Sequence, residues 1–550
     1  MARKLTSQTP SVVEATSDFI VIGAGSAGSV MAARLSEDGH NTVTLLEAGG
    51  SDRHTLIAMP LTWMTASTMP RFTWGTKSDP EPFMDDRVLD LPRGRLMGGS
   101  GSIDGRMYIC GQAADYDAWQ AKGLVGWGYA DVLPYFRRME TNWRGASDIH
   151  GGDGPINVIP MRPHKELRAA FAAATTRLGY ALTDDFNGAD NEGFGLPDVM
   201  VRNGRRHSPS RAYLDPAAGR RNLAIRSGMS VQRILIEEGR ATGVVCDRGG
   251  VTQVLRARRE IILCAGTFHS PHLLMLSGIG PGAELRDHGI AVHADRPAVG
   301  DNLQDHPVAL TFWSASRPVT FERELRADRL AFNVARWMLT GRGTPSQSPL
   351  TFQGFLRSSP EQDRADLQFQ ASHVHFAARP WLPLVRKGAG HAISATSILL
   401  NPESRGRVSL ASADPAALPA IRLNFLEAEG DRVRMRRSIR FIRALFGTAP
   451  LADYVAAELA PGAAADSDAA LDAWLRASTI SGAHGVGTCA MAAGEGGVVD
   501  AELRVKGVDG LRVVDCSVMP DIVRGNTAAP AMMIAEKASD MILGRSSPVR

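Results

Sequence analysis

The chain has 550 residues, 44% hydrophobic and 22% charged, with 61 basic against 58 acidic side chains. That length exceeds what one hydrophobic core fills, so two or more domains, or one elaborated by insertions, are expected. A formal net charge of +3 gives no reason to expect nucleic acid as a partner, and no run of about 18 apolar residues could span a bilayer. Residence is expected to be cytoplasmic, with contact at the periphery of the inner membrane left open.

Met1 to Ser17 is polar, lacks the apolar stretch of a secretion signal, and reads as a disordered tail over 1–16. An apolar strand then runs from Asp18 into Gly23, Gly25 and Gly28, which stand in the G-x-G-x-x-G spacing. A helical run leaves them, and a second strand, Val43 to Glu47, follows. Gly23 permits a tight turn, Gly25 keeps side-chain atoms away from a pyrophosphate, and Gly28 lets helix and strand pack closely. Ser26 and Ala27 open the helix, whose free N–H groups suit phosphate. Glu47, 19 residues after Gly28, lies where a carboxylate binds a ribose hydroxyl pair, with Ala48 beside it. The unit predicts a dinucleotide site.

Pro60 to Leu91 has no clean period and reads as a surface excursion or lid. Arg93 to Gly105 is a second glycine-rich loop, interrupted by the apolar anchors Leu96, Met97 and Ile103, which suggests backbone pressed against a ligand. Leu223 to Ile236 is strand-like, Ile261 to Gly266 a buried strand ending at glycine, and His269 to Leu276 a short helix. Between about 310 and 475 the texture changes to alternating strands such as Leu367 to Phe376, which predicts antiparallel pairing. His373 and His375 would share one face of that strand, able to line a cavity or chelate an ion, although no metal is expected. Six arginines between Asp431 and Phe446 read as the wet face of an amphipathic helix. Glu458 to Ala470 reads as a loop, Leu511 to Asp515 as a strand and Ala528 to Leu543 as a closing helix. The five cysteines are scattered without zinc-ligand spacing. This fits a reducing compartment, and Cys264 is a small core residue.

Taken together these pieces resemble the glucose–methanol–choline oxidoreductase family of FAD enzymes, in particular its bacterial choline-dehydrogenase-like and alcohol-dehydrogenase members. The resemblance rests on Arg93 to Gly111, Gly266 to Gly280, Val299 to His306, Ser404 to Leu410, Asp515 to Pro520 and Gly525 to Pro530. It implies an α/β fold, α+β overall: a Rossmann-like FAD-binding domain drawn from 17–165, 221–309 and 478–547. A substrate domain on an antiparallel sheet, from 166–220 and 310–477, is inserted in it. It also implies that Gly23, Gly25, Ser26, Ala27, Gly28, Glu47 and Ala48 hold the ADP half of FAD, with Val231 at the adenine. Arg93, Gly99, Ser100, Asp104 and Gly105 lie along the flavin, with Ala265 at the second signature. Asp515 contacts the ribityl and pyrophosphate region, and Asn526, Thr527 and Ala528 the pyrimidine edge. Ile103 occupies the position at which some relatives carry a flavin-linking histidine, so FAD is expected to be non-covalent.

The implied reaction oxidises a primary CH–OH group to the aldehyde, with hydride passing to flavin N5 and the electrons then to oxygen or a quinone-like acceptor. His484 fills the family's catalytic histidine slot as base. Asn526, ten residues before Glu536, fills the second slot, and the residues alone would equally allow it to cap the last helix. His269 and His272 would have a structural or flavin-edge role. Three positions depart from the family. Asp104 replaces a usual Asn, Gly485 replaces a usual Pro and could loosen the base, and Thr351 stands where choline-acting relatives carry a glutamate. A neutral alcohol is therefore expected. The alternatives are a flavin-containing lyase resembling hydroxynitrile lyases, and a flavoprotein without turnover, for which Asp104 and Gly485 would be the motive. A light-driven decarboxylase fits less well, because Leu400 stands at that branch's cysteine.

Overall fold

The computed structural model describes residues 15–161, 165–188, 190–375 and 377–548. The first fourteen residues of the expected tail lie outside these. Ala15 and Thr16 do not belong to a tail: they begin the strand Ala15–Ile22, paired with Leu255 and Arg256.

Two seven-stranded sheets carry the fold. In the first, Leu223–Ser227, Val43–Glu47, Ala15–Ile22 and Val251–Leu263 lie side by side and parallel. Val251–Leu263 is long enough to have two partners along its other edge. Its first half pairs antiparallel with Arg240–Arg248, which leads to Ser230–Glu237, and its last three residues pair parallel with Leu511–Val513. Val43–Glu47 is buried along its whole length, as a central parallel strand must be. The stretch read as one strand from Leu223 is two, because Gly228 turns the chain at φ +70° to pass over the end of Val43–Glu47.

The second sheet is wholly antiparallel, in the order Val455–Ala460, Pro307–Ala315, Ala392–Leu399, Leu367–Ser372, Leu350–Leu356, Gly193–Gly195, with Ile480–Ser481 also paired to Pro307–Ala315. The mixed α/β architecture inferred from sequence is therefore present. Residues 307–309 and 480–481, expected with the nucleotide-binding segments, hydrogen-bond into the antiparallel sheet. The reason is that the strand Pro307–Ala315 continues directly out of the Val299 to His306 phrase.

Three local expectations change. Glu458 to Ala470 is not one loop: Glu458 ends in the strand Val455–Ala460, and Ser467 caps a helix, Asp468–Ser478, by accepting from the Ala470 N–H. In the helix Glu429–Phe446 the arginines are not simply a wet face, since Arg434 and Arg436 are buried in ion pairs with Asp431 and Asp472. The strand Leu367–Ser372 stops before His373, so His373 and His375 do not share a strand face. His373 Nδ1 meets Thr351 Oγ1 at 2.5 Å, and His375 stacks on Phe312.

The closing helix, Ala528–Leu543, has the expected bounds. Its fully buried Glu536 binds Arg34, Arg138 and Tyr213, which fastens this helix to the helices Ser26–Leu35 and Tyr129–Met139. That clamp fixes where the helix's N-terminal end, and with it Asn526, can stand.

Candidate active site

The two glycine loops form one wall. The Gly98 N–H donates to Ala24 O, and a Cβ on Gly99 would stand 2.7 Å from Gly25 Cα. Gly23 has φ +95°, and a Cβ there would lie 2.6 Å from Cys264 O; on Gly28 it would lie 1.8 Å from Gly23 O. Gly25 differs, since a Cβ on it would meet nothing within 4 Å. Gly25 also caps the helix Ser26–Leu35 with no side chain bonded to the first-turn N–H groups. An open space in front of free helix N–H groups is what a pyrophosphate fits. Glu47 ends its strand beside this turn, accepting from the Ala24 and Gly49 N–H groups, and burial pushes its carboxyl up to about 7. The chain passes Glu47 again at Met229, two residues before Val231. Ala48 follows Glu47 half-buried, and Ala265 caps the helix Gly266–Leu276. The residues present thus fit the ADP half of a dinucleotide.

Asp515 is bound to protein: Oδ2 accepts from the Gly266 N–H and the Ser270 hydroxyl, and Oδ1 from the Ser517 N–H. Ser100 Oγ accepts from the Gly94 N–H, Gly105 follows half-buried, and Ile103 is buried with Ile57, Phe72 and Leu96. His269 stacks on Trp74 at 4.4 Å. The Nε2 atoms of His269 and His272 are buried without partners, and burial lowers their pKa values to about 3 and about 4.

His484 and Asn526 come together, although 42 residues separate them: Asn526 Nδ2 is 2.9 Å from His484 Nε2. On the other side of the ring, His484 Nδ1 is 3.0 Å from His306 Nδ1, and His306 Nε2 is 2.9 Å from Leu400 O. These contacts favour one arrangement of the protons. A carbonyl can only accept, so His306 carries its hydrogen on Nε2. Burial holds His306 neutral, its pKa well below the usual value, so its Nδ1 bears a lone pair and receives Nδ1–H from His484. His484 Nε2 then bears a lone pair and accepts from the Asn526 amide. The far end agrees: Gln368 Nε2 donates to Asn526 Oδ1 at 3.3 Å, which leaves the NH2 group facing His484. Burial lowers the His484 pKa to about 4, with Asp305 opposing and Arg93 reinforcing the shift.

The segment carrying His484 is tied to 304–306 by Gly482 N–H to His306 O, His484 N–H to Asp305 Oδ1, and reciprocal bonds between Val486 and Gln304. Ala483, with φ +61°, turns the chain into the left-handed region just before the histidine. A Cβ on Gly485 would stand 2.9 Å from Arg93 Nη2, so glycine makes room for Arg93. The Arg93 guanidinium donates to Ala483 O, pairs with Asp305 at 4.0 Å and stacks over Phe268.

The second departure is also compensated within the structure. Asp104 Oδ1 receives Arg206 Nη1 at 2.7 Å and the Arg106 N–H at 3.0 Å. A carboxylate there pairs with the buried Arg206 guanidinium, and the charge of the buried Arg106 lies near it. Burial nevertheless raises the Asp104 pKa, with Arg206 and Arg106 opposing. Asn526 is not the cap of the closing helix; Thr527 holds that position, with Ala528 the first helical residue. Sequence reasoning assigned no role to His306, Asp305, Gln353 or Gln368. The first two lay within a quoted motif. The glutamines had no local signal, being single alternating positions on strands that only the sheet brings to Asn526. Gln353 Nε2 and Gln368 Oε1 are buried without partners, leaving polar atoms for a ligand to satisfy.

Comparison with known proteins identifies the family. Models of the GMC oxidoreductase family match residues 17–308 and 402–535. The chain is 42% identical over 541 residues to an oxygen-dependent choline dehydrogenase of Rhizobium etli (strain CIAT 652), covering 97% of this chain and 96% of the relative. It is 41% identical, with the same coverage, to one of Brucella ovis. Among solved structures, pyridoxine 4-oxidase from Mesorbium loti superposes with a TM-score of 0.85 at 30% identity, covering 96% and 99% of the two chains. A formate oxidase of Aspergillus oryzae RIB40 superposes with a TM-score of 0.89 at 26% identity, covering 98% and 99%.

Proposed function

This chain belongs to the GMC oxidoreductase family and is an FAD-dependent oxidoreductase acting on CH–OH donors; from that premise we propose that it oxidises the primary hydroxyl of a neutral alcohol to the aldehyde, with His484 as base and Asn526 as hydrogen-bond partner. The observation that carries the reading is the chain of contacts from Leu400 O through His306 to His484 and on to the Asn526 amide; it supports a lone pair on His484 Nε2. A substrate hydroxyl entering between the two side chains donates to Nε2 and accepts from Asn526 Nδ2, replacing their 2.9 Å contact. Nε2 takes the hydroxyl proton. The resulting imidazolium keeps Nδ1–H on His306, and Asp305, bound to the His484 N–H, offsets part of its burial. The flavin, when bound, supplies hydride acceptance from the carbinol carbon. Non-covalent binding is supported by Ile103, an apolar side chain with no nucleophile, and is tested by release of flavin on acid precipitation.

Neutrality of the substrate is supported by the use of Asp305. Its oxygens already accept from the His306 and His484 N–H groups and the Ser481 hydroxyl, and Arg93 pairs with it. Besides His484, Asn526 meets Gln368, which is bonded to Gln353, and Thr351 is engaged by His373. A trimethylammonium would find no free carboxylate among these residues. The relatives named as choline dehydrogenases motivate choline as the second reading.

The test is anaerobic mixing of the purified holoprotein with neutral primary alcohols, choline and pyridoxine, followed by air or a quinone. Bleaching of the visible flavin bands by a neutral alcohol in preference to choline is expected. Preferential bleaching by choline overturns neutrality, and bands that persist with every alcohol overturn the oxidation itself. Cleavage of a cyanohydrin without bleaching identifies a lyase. The reoxidation arm separates oxygen from a quinone-like acceptor.

A further inference from the structure

The helix Ala327–Thr340 has one buried residue, Trp337, among fourteen. Its outer face exposes Phe332 (69%), Met338 (57%) and Leu339 (87%). Phe332 and Leu339 are seven residues apart and so lie on one stripe. Beside the start of this helix, Trp381 fastens a short turn to it: the Trp381 N–H donates to Leu325 O, and the Ala327 N–H to Trp381 O. That turn exposes Leu382, Leu384 and Val385, the Leu384 side chain entirely. Leu384 has φ +68°, a conformation uncommon for a branched side chain, and it stands at the very tip. Six large apolar side chains thus project from two adjoining segments. Scattered exposed leucines are ordinary, but large apolar side chains gathered on two joined segments mark a contact surface.

The charge around the patch identifies what covers it. Arg323, Arg336, Arg342, Arg386 and Lys387 are exposed in these segments, against one exposed carboxylate, Asp328, which pairs with Arg326. The whole chain is nearly balanced at +3, so this excess is local. An amphipathic helix with apolar side chains outward and cations at its flanks is the arrangement that lies in a bilayer interface. We propose that the face formed by Ala327–Thr340 and the turn Leu382–Val385 docks on an anionic lipid bilayer. The apolar side chains enter the acyl boundary and the cations meet lipid phosphates. A cavity of about 340 Å³ lies behind the C-terminal end of the helix, lined by Thr340, Gly341 and Arg342 and by Arg106, two residues from Asp104. The proposal is independent of the alcohol oxidised.

Flotation of the purified holoprotein with vesicles of phosphatidylcholine and phosphatidylserine, compared with phosphatidylcholine alone, tests it. Wild-type protein is expected to float with the anionic vesicles, less so at high salt, and to stay behind with neutral ones. Each cation near an anionic surface strengthens binding roughly fivefold. Arg386→Ser with Lys387→Ser should therefore lower vesicle affinity by roughly 25-fold, and Leu384→Ser with Val385→Ser should abolish flotation. All these side chains are exposed, so the flavin spectrum and alcohol-dependent bleaching should not change. Hydrogen exchange on the wild-type protein gives a reading that needs no variant: vesicles should protect 327–342 and 378–390. Failure of the wild type to float, flotation insensitive to these substitutions, or protection confined to other segments overturns the proposal. So does a dimer abolished by Leu384→Ser in a protein that does not float, which would assign the face to a second copy of the chain.

Discussion

His306→Phe isolates the proton order at the site. The phenyl ring retains the buried volume but removes the lone pair that receives His484 Nδ1–H at 3.0 Å. A buried N–H left without a partner costs about 1–3 kcal/mol. In the variant, His484 avoids that cost by moving its hydrogen to Nε2, the atom that must be unprotonated to accept from the substrate. At 1.36 kcal/mol per tenfold, the reactive tautomer falls by roughly 5- to 150-fold. Stopped-flow bleaching of the flavin by a saturating alcohol without oxygen should slow by that factor, with KM little changed. The loss should be smaller than that of His484→Ala. Nitrogen NMR of labelled imidazole should show Nε2 of His484 changing from a bare to a protonated nitrogen. A variant that retains flavin and is reduced at the wild-type rate refutes the reasoning, as does an unchanged Nε2 signal.

His484→Ala should leave flavin bound and lower the reduction rate by about 10²–10⁴-fold, the usual contribution of a positioned acid–base group. Asn526→Leu should also slow reduction and should raise KM as well if its amide holds the substrate oxygen as proposed; an unaffected KM would place Asn526 outside the binding geometry. Asp104→Asn leaves Arg206 buried without its carboxylate and should cost about 3 kcal/mol, read as a fall in denaturation midpoint. Restoration by a second change, Arg206→Gln, would identify the charge pair as the cause. Acid stability follows from the buried histidines. His484, His207 and His272 have folded pKa values lowered to about 4, so the unfolded chain binds more protons between 6.5 and 4, and stability falls as pH drops through that window. His150, between Glu140 and Asp185, is raised to about 9. Its contribution is complete below 6.5 and is lost as pH rises through 9. Denaturant titrations from pH 4 to 10 would show both limbs, and a profile flat below 6.5 contradicts the first.

The glycine turn, Glu47 and the closing helix were legible because each is a local pattern. The spacing of Gly23, Gly25 and Gly28 follows from backbone sterics, and Ala528–Leu543 from a continuous apolar period. His484 and Asn526 were legible only through motif resemblance, since nothing local distinguishes one histidine among fourteen. Their 2.9 Å contact joins residues 42 apart and depends on the Glu536 clamp and the pairing of 482–486 with 304–306. Asp104 and Gly485 looked like defects in one dimension. Their compensations, Arg206 and Arg93, lie 102 and 392 residues away in sequence. Residue types and their periods determined which elements form and which side chains could do chemistry. Tertiary packing decided the proton on each ring nitrogen, because a tautomer is set by the atom across the hydrogen bond and not by the residue itself.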